Sequence, residues 1–340
     1  MNAIDLSPPL DPGVLEQAFG LHRLSRLLFA AGALDVAGHI AAGATDIRAL
    51  AAVTGTHAAT LKSVLDALVC WGAFARNADG DYGLTAFSQR LVRGAPGAAN
   101  MPFLLGWTGS PASYDAFGGL LHTLRTGQCA WRATGSADFH AYLAANPETG
   151  DLYAKAMEAT RDGFADCADA YDFSTARRIV DVGGGHGAFC LEILSRYPTL
   201  QAISFDLPDV VAGADCARHP ASARLEFAGG DALAAVPAGA DIYLTSTVLR
   251  CLDDEHCARV LRNVRDAMPD GARLAAFEMV MPEARDNLAI GMADVVARVV
   301  YGGRDRTERE FDSLFERSGL RRTRTLPTRG LLSVVEAVAA

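Results

Sequence analysis

The stretch VDVGGGHGA, residues 180–188, decides the fold class. It joins an apolar run of strand length to a segment with helical spacing, and clustered glycines are informative only in that context. Glycine lets the backbone turn tightly and lets a ligand approach the main chain closely. Gly183, Gly185 and Ala188 also satisfy the pattern GxGxx(G/A) of dinucleotide-binding domains, so a nicotinamide cofactor is one alternative.

Apolar runs of strand length alternate with helix-length segments from Ala176 onward. This alternation predicts an α/β domain with a Rossmann-like, doubly wound parallel sheet. A closing antiparallel hairpin is expected from residues 321–326 and 332–338 at the edge of that sheet. The predicted strands cover residues 179–182, 202–206, 225–227, 242–244 and 274–280, with helices at 189–197, 256–268 and 307–318.

Residues 14–93 have the spacing of short helices followed by a hairpin. Thr45-Asp46 precedes the helix IRALAAVT, a second helix is expected over 58–71, and short strands are expected at 74–76 and 82–84. The order is typical of a winged helix. Residues 45–93 contain five Lys and Arg against four Asp and Glu, so their net charge is 5 − 4 = +1. DNA binding requires clustered cations, so packing or dimerisation is favoured.

Composition narrows the class of protein. The 340 residues are 50% hydrophobic and carry a net charge of −9, which predicts a globular chain and disfavours a general binder of nucleic acid or anionic membranes. Seven cysteines without a CxxC pair predict a reduced, cytoplasmic protein with neither a disulfide framework nor a metal site. No secretion signal is expected from the first residues, and the apolar run 27–34 is too short for a membrane span.

Two acidic residues follow predicted strands. Asp206 ends the second strand, 206 − 185 = 21 residues after Gly185, which is the spacing expected for a carboxylate that binds ribose hydroxyls. Asp231 follows the third strand, where it could meet an adenine. The alternative for both is helix capping.

Several motifs in order resemble the small-molecule O-methyltransferase family, which includes plant caffeate-type and bacterial antibiotic-tailoring enzymes. The motifs, which cover nearly the whole chain, are residues 181–187 (DVGGGHG), 205–208 (FDLP), 229–231, 253–255, 268–272 and 302–308. The resemblance implies S-adenosylmethionine (SAM) as cofactor and a homodimer through a winged-helix domain. It implies a dimerisation domain at 1–95, a helical connector at 96–172 that contributes to the substrate pocket, and a SAM-binding domain at 173–340.

The family pattern also implies site residues. The glycines would line SAM, Asp206 would take its ribose, and Asp231 would lie by the adenine. Met157 matches a methionine that packs near substrate and methyl donor, on a long helix expected from Pro147 through Phe164. A linker is expected over 94–111. The expected cofactor-binding residues are Asp181, Gly183, Gly185, Gly187, Asp206, Leu207, Gly230, Asp231 and Ser246, and the expected substrate-binding residues are Met157, Phe164 and Arg250.

The sequence departs from the family after the fourth predicted strand. Ser246 replaces a lysine and Arg250 replaces the histidine that deprotonates the acceptor hydroxyl. A guanidinium stays protonated and presents only donors, so Arg250 cannot be a general base. It could stabilise a phenolate, bind a substrate carboxylate, polarise a carbonyl, or lie outside the site.

Other side chains are candidates for the missing role. Glu278 matches a family glutamate and is expected to be catalytic with Arg250, which it could orient through an ion pair. Cys251 is expected to be inert. His256 is expected to begin a helix, and no motif supports His122 or His140.

These observations predict a SAM-dependent O-methyltransferase acting on a small aromatic or polyketide-like metabolite. Catalysis would come from proximity and electrostatics without a histidine base. The alternative is an enzyme that binds SAM without transferring methyl, such as a cyclase, pericyclase, hydroxylase or decarboxylase. A regulatory protein and a nicotinamide oxidoreductase are less favoured. The expected partners are the substrate and a second copy of the chain, without nucleic acid or membrane.

Overall fold

The computed structural model describes residues 12–93, 101–158, 162–214, 216–284 and 286–340. The chain forms two compact units. The larger consists mainly of Gly119–Ala141 and Arg161–Ala340, and the smaller consists of Asp5–Gly118 and Tyr142–Thr160. The first eleven residues and part of the expected linker, residues 94–100, lie outside the described residues.

The secondary structure mixes helices with short strands. The helices are α1 Pro12–Ala33, α2 Val36–Ala41, α3 Ile47–Thr54, α4 Ala58–Cys70, α5 Ala86–Gln89, α6 Met101–Thr108, α7 Pro111–Gly118, α8 Leu120–Thr126, α9 Phe139–Ala145, α10 Pro147–Glu158, α11 Asp162–Ala170, α12 Ala188–Arg196, α13 Pro208–Ala212, α14 Asp254–Ala267, α15 Leu288–Val296 and α16 Glu308–Glu316. The strands are β1 Phe74–Arg76, β2 Tyr82–Leu84, β3 Arg178–Val182, β4 Gln201–Asp206, β5 Leu225–Gly229, β6 Ile242–Ser246, β7 Arg273–Glu278, β8 Leu320–Pro327 and β9 Ser333–Ala339. Among the described helices, none combines the length and apolarity required to cross a bilayer.

The smaller unit contains the predicted helix pair and hairpin. Helix α3 has the predicted bounds because the Asp46 carboxylate accepts hydrogen bonds from the N–H groups of Arg48 (2.9 Å) and Ala49 (3.0 Å). Strands β1 and β2 pair antiparallel, with Phe74 opposite Leu84. The winged-helix order predicted from the sequence is therefore present in this unit.

One sequence expectation is corrected here. Residues 101–108 form helix α6 and not a linker, because the apolar run packs against α10, where Trp107 and Tyr153 meet edge to face at 4.9 Å. Pro102 is tolerated in the first helical turn, where its missing N–H costs no hydrogen bond. Of the long helix expected from Pro147 through Phe164, the structure describes helical residues up to Glu158 in α10 and from Asp162 in α11, and residues 159–161 lie outside the described residues.

The larger unit is built on one seven-stranded sheet of order β5-β4-β3-β6-β7-β9-β8. The first five strands are parallel, and the C-terminal hairpin β8–β9 pairs antiparallel at the edge next to β7. Strand order reverses direction between β3 and β6, so the loops after these two strands diverge. Open α/β sheets bind ligands at such a switch point, beyond the carboxyl ends of the strands.

Both faces of the parallel sheet are covered. Val180 and Val182 of β3 pack on one face with residues of α14 and α16, while Ile179 packs on the other face with residues of α11 and α12. Burial on both faces explains why the strands are continuous apolar runs in the sequence. The predicted α/β fold with a helical N-terminal domain is confirmed.

Candidate active site

The glycine turn after β3 is held by backbone hydrogen bonds from the neighbouring strand β4. The N–H groups of Gly183 and Gly184 donate to the Phe205 carbonyl at 2.8 and 3.2 Å. Gly183, Gly185 and Gly187 have φ values of 79°, 56° and 75°, which L residues with a side chain rarely adopt. Gly187 caps α12, so the turn leads directly into the N-terminus of that helix.

Side-chain space differs along this turn. A Cβ at Gly183 would lie 2.5 Å from Cγ2 of Val248, and one at Gly187 would lie 2.6 Å from Cδ2 of Leu225. A Cβ at Gly185 would meet no atom within 4 Å. The turn is therefore packed tightly at its two ends and open at its middle glycine, where a ligand can approach the main chain.

Asp181 lies beneath the turn and is 1% exposed. Its Oδ2 accepts the Cys190 thiol at 3.8 Å, and its Oδ1 has no hydrogen-bond partner among the described residues. Burial, and then the charge of Asp206, raises the pKa of Asp181 to about 7. Asp181 thus supports the turn from below and keeps one oxygen available for a hydrogen-bond donor.

Asp206 ends β4 and faces the same turn. Its Oδ2 accepts the N–H of Gly185 at 2.8 Å, and its Oδ1 accepts the N–H of Leu207 at 2.7 Å. A carboxylate has about four lone-pair positions, so each oxygen can accept a further hydrogen bond from a ligand hydroxyl. Leu207, 41% exposed, follows immediately.

Gly230 and Asp231 follow β5. The N–H of Gly230 donates to the Asp206 carbonyl at 2.9 Å, and a Cβ at Gly230 would lie 2.5 Å from the ring of Phe205. The Asp231 carboxylate accepts the N–H of Leu233 at 2.8 Å in a turn, and no helix begins there for it to cap. These contacts join the ends of β4 and β5 on one side of the switch point.

The turn after β6 lies on the other side of the switch point. Oγ of Ser246 is buried and has no hydrogen-bond partner in the described residues. Thr247 has φ 57°, which is strained for a β-branched residue, and its N–H donates to the Phe277 carbonyl at 2.9 Å. This conformation of Thr247 forms the turn between β6 and the short 3₁₀ helix Leu249–Cys251.

Arg250 lies in that 3₁₀ helix and is 8% exposed. Its Nε and Nη2 donate to the two carboxylate oxygens of Asp305 at 2.8 and 3.0 Å, and Nη2 also donates to the Ala293 carbonyl at 2.7 Å. Burial acts to lower the pKa of Arg250, but Asp305 more than offsets it, and the pKa is raised. The side chain is a fixed cation with a paired carboxylate.

The expected ion pair between Glu278 and Arg250 is wrong, because Asp305 occupies the fork of the guanidinium. Glu278 is 1% exposed at the end of β7, and its Oε1 accepts the N–H of Leu249 at 2.8 Å. Its Oε2 has no hydrogen-bond partner among the described residues. Burial raises the pKa of Glu278 to about 7, although the Leu249 N–H and Arg250 oppose the shift.

Sequence reasoning missed two residues that fix this turn. Asp305 also receives support through its own N–H, which donates to Asp294 at 2.9 Å. Arg306, 1% exposed, donates to the carbonyls of Leu249 (2.8 Å) and Leu252 (3.1 Å) and binds the Asp254 carboxylate at 2.7 Å. Both lie in the stretch 302–308, where charged residues follow a pair of glycines. That pattern was the signal in the sequence that could have indicated their role.

The remaining expected residues are dispersed. Phe164 of α11 stacks on Phe189 of α12, with ring centroids 4.9 Å apart. Phe189 follows the glycine turn by two residues in the sequence. Met157 belongs to α10 in the smaller unit, and its role stays a prediction. Burial raises the pKa of the Cys251 thiol to about 12, consistent with an inert cysteine. His256 is not the cap of α14, because Asp253 caps it.

The arrangement fits the sulfonium nucleoside expected from the family resemblance. Asp206 holds carboxylate oxygens next to the open middle glycine, and Asp181 has a buried oxygen without a partner among the described residues. Ser246 has a buried hydroxyl, also without a partner among the described residues, on the other side of the switch point. A nucleoside offers ribose and amino donors that match these acceptors.

Comparison with known proteins identifies the family. Residues 117–321 match the O-methyltransferase domain, and residues 15–94 match the O-methyltransferase dimerisation domain. The phenazine O-methyltransferase PhzM of Lysobacter antibioticus is 32% identical over 332 residues, which cover 97% of this chain and 96% of that protein.

Solved structures of methyltransferases are similar to this chain over nearly its whole length. The mitomycin 7-O-methyltransferase MmcR has a TM-score of 0.90 at 29% identity, over 96% of this chain and 97% of its own. An O-methyltransferase from neocarzinostatin biosynthesis, solved with SAM and 2-hydroxy-5-methyl naphthoic acid, has a TM-score of 0.79 at 29% identity, over 93% of this chain and 96% of its own. The chain belongs to the O-methyltransferase family and is a SAM-dependent methyltransferase with the family's dimerisation domain at its N-terminus.

Proposed function

We propose that this enzyme methylates a hydroxyl group of a small aromatic or polyketide-like metabolite. The observation that carries the proposal is the pairing of a nucleoside-binding edge at β3 and β4 with a second turn, after β6, that presents Arg250 in place of a base. The relatives' names, which include a phenazine and a mitomycin enzyme, support this substrate class.

The cofactor would be held mainly from the glycine turn. Gly183, Gly185 and Gly187 shape the open cradle, and Asp206 accepts the ribose hydroxyls on the lone pairs that Gly185 and Leu207 leave free. Asp181 supports the turn from below.

On the adenine side, Leu207, Gly230 and Asp231 would form the edge beyond β4 and β5, and Ser246 would donate from β6.

Bound SAM supplies an electrophilic methyl carbon on a positively charged sulfur. The chain's contribution is then to hold the acceptor oxygen in line and to exclude water, and such positioning is worth roughly 7–11 kcal/mol. Arg250 would contact the acceptor, and Glu278 would act as a positioning residue through the N–H of Leu249. Phe164, stacked on Phe189, would provide an apolar wall.

The partners are a small-molecule substrate and a second copy of this chain, because residues 15–94 match a dimerisation domain. Nucleic acid is not proposed as a partner. Lys62, the one cation of α4, is bound to Asp66 at 2.5 Å and is not free for phosphate. We propose a cytoplasmic location, which suits the seven free cysteines.

The test is transfer of label. The protein is incubated with methyl-labelled SAM and, separately, 1-hydroxyphenazine, 2-hydroxy-5-methyl naphthoic acid and the aliphatic alcohol 2-phenylethanol. We expect label in an ether of an aromatic acceptor and one equivalent of S-adenosylhomocysteine. Consumption of an acceptor without S-adenosylhomocysteine would contradict methylation and favour the non-methylating alternative.

A further inference from the structure

The guanidinium of Arg250 offers hydrogen-bond donors only. Asp305 and the Ala293 carbonyl occupy Nε and Nη2, and no hydrogen bond from the described part of the chain uses Nη1. The two N–H groups of Nη1 are therefore the part of the side chain that can meet an acceptor. Because a guanidinium is positively charged and only donates, it binds an anionic oxygen more strongly than a neutral hydroxyl.

The acidic groups around Arg250 are buried or already engaged in hydrogen bonds. Asp294, next to Ala293, accepts from the N–H of Asp305 and from Nε of Arg298, both at 2.9 Å. Asp305 receives two hydrogen bonds from the guanidinium. Burial raises the pKa of the Cys251 thiol, which keeps it protonated, and its Sγ donates to the Thr247 carbonyl at 3.3 Å. Glu278 is 1% exposed and its Oε1 accepts the Leu249 N–H, so we expect no substrate hydroxyl to reach its carboxyl group.

These contacts, together with the proposed function on which this step rests, lead to a substrate class. We infer that the site selects acceptors that arrive already ionised, namely phenols whose hydroxyl is acidified by a conjugated nitro, acyl, quinone or aza group. Arg250, held by Asp305, then donates through Nη1 to the phenolate oxygen.

The proton and charge balance is complete without a protein base. The hydroxyl proton leaves to water before transfer, and the acceptor carries one negative charge. The phenolate oxygen forms its bond to the methyl carbon as the carbon–sulfur bond breaks, and that electron pair stays on sulfur. The products are a neutral methyl ether and neutral S-adenosylhomocysteine.

A matched pair of acceptors tests the inference. The probes are 1-naphthol and 4-nitro-1-naphthol, which share a ring system and a hydroxyl position but differ in acidity. An ordinary phenol with a pKa of about 10 is only about 0.1% ionised at pH 7. We therefore expect kcat/KM at pH 7 to favour the nitro compound by at least tenfold. For each acceptor, kcat/KM should rise with pH and level off at that acceptor's own pKa.

Two outcomes, one from this measurement and one from the labelling experiment above, overturn the inference. One is that kcat/KM levels off at the same pH for both acceptors, because this would reveal a base on the enzyme. His122 is a candidate for such a base, since its Nε2 is buried without a hydrogen-bond partner among the described residues. The other is preferential methylation of 2-phenylethanol, which would leave O-methylation itself intact. Failure of every acceptor to yield S-adenosylhomocysteine would instead contradict the proposed function.

A pair of variants provides a second, independent readout. Arg250→His and Arg250→Gln both remove the fork to Asp305, but only the imidazole can accept a proton. We expect the rate ratio of 4-nitro-1-naphthol to 1-naphthol to be at least tenfold lower in Arg250→His than in Arg250→Gln. Equal ratios in two folded variants would contradict the assignment of acceptor selectivity to this position.

Discussion

The two turns that flank the switch point of the sheet are built in different ways. The glycine turn after β3 is made of backbone, and its contacts come from Phe205 and Asp206 on the adjacent strand. The turn after β6 is held by side chains from far along the chain: Glu278, Asp305 and Arg306. The first turn holds its shape through φ angles and the second through buried charge.

Because the two turns are built differently, substitutions in them should affect cofactor binding and folding stability to different degrees. Loss of a contact in the glycine turn exposes a backbone group to water or to ligand, which costs little in folding free energy. Loss of a contact in the second turn leaves a buried charge without its partner, which costs much more. Loss of the Asp206 carboxylate from the first turn should therefore appear in SAM affinity, and loss of a charged partner from the second turn should appear in protein stability.

The largest effect is expected for Asp305→Ala. The substitution leaves the Arg250 guanidinium buried without its carboxylate, so the free energy of unfolding should fall by about 3–5 kcal/mol in urea denaturation. The matched control replaces both partners, with Arg250→Met and Asp305→Leu, and should recover most of the loss. A fall below about 1 kcal/mol for Asp305→Ala would contradict the role given to buried charge.

The next effect concerns pH. Glu278 has its pKa raised from 4.5 to about 7 in the folded protein, so the folded state binds more protons than the unfolded state between these values. Stability contributed by the protonated carboxyl is complete below pH 4.5 and is lost as pH rises through about 7. Glu278→Gln should remove up to about 3 kcal/mol of this decline in denaturation curves measured from pH 4.5 to 8. Asp181, whose pKa is raised in the same direction, contributes a decline that the variant should retain.

A smaller change is expected for Asp206→Ala, this time in SAM binding. Removal of a charged acceptor should weaken binding by about 1.5–3 kcal/mol, or roughly 10–150-fold in Kd by calorimetry. Asp209→Ala removes an exposed carboxylate in the adjacent helix and should change Kd less than twofold. If the two variants bind SAM equally well, Asp206 does not take the ribose.

The smallest expected difference lies within the glycine turn. Gly183→Ala and Gly185→Ala both place a side chain at positive φ, but only the first drives a Cβ to 2.5 Å from Val248. Gly183→Ala should therefore lose about 1–3 kcal/mol more stability than Gly185→Ala. Adding Val248→Ala to both variants should reduce the difference between their stability losses. If that difference in stability is unchanged, the contact with Val248 does not cause it.

Local sequence patterns predicted much of the fold. The Asp46 cap, helix α3, the hairpin β1–β2 and the alternating strands of the sheet depend on neighbouring residues, and the structure has them where the sequence predicted them. The linker expectation failed at residues 101–108. Proline and glycine there suggested a break, but packing of Trp107 on Tyr153 favours a helix.

The candidate site was predictable on one side and not on the other. The distance between Gly185 and Asp206 in the sequence anticipated their hydrogen bond, because strand, helix and strand have standard lengths. Nothing near Arg250 in the sequence indicates that its partner is Asp305, 55 residues away, and the family glutamate Glu278 was the wrong partner.

The amino-acid sequence by itself determined where the strands and helices of the α/β domain lie along the chain and where the glycine turn falls, because φ preference and hydrophobic period act between near neighbours. The cofactor class followed from the order of the motifs that resemble the O-methyltransferase family. Tertiary structure alone decided which carboxylate neutralises Arg250, which donor atoms that guanidinium leaves free, and how deeply Glu278 is buried. Those features depend on desolvation and on charges brought together across β6, β7 and the segment before α16, and burial is a property that no local pattern specifies.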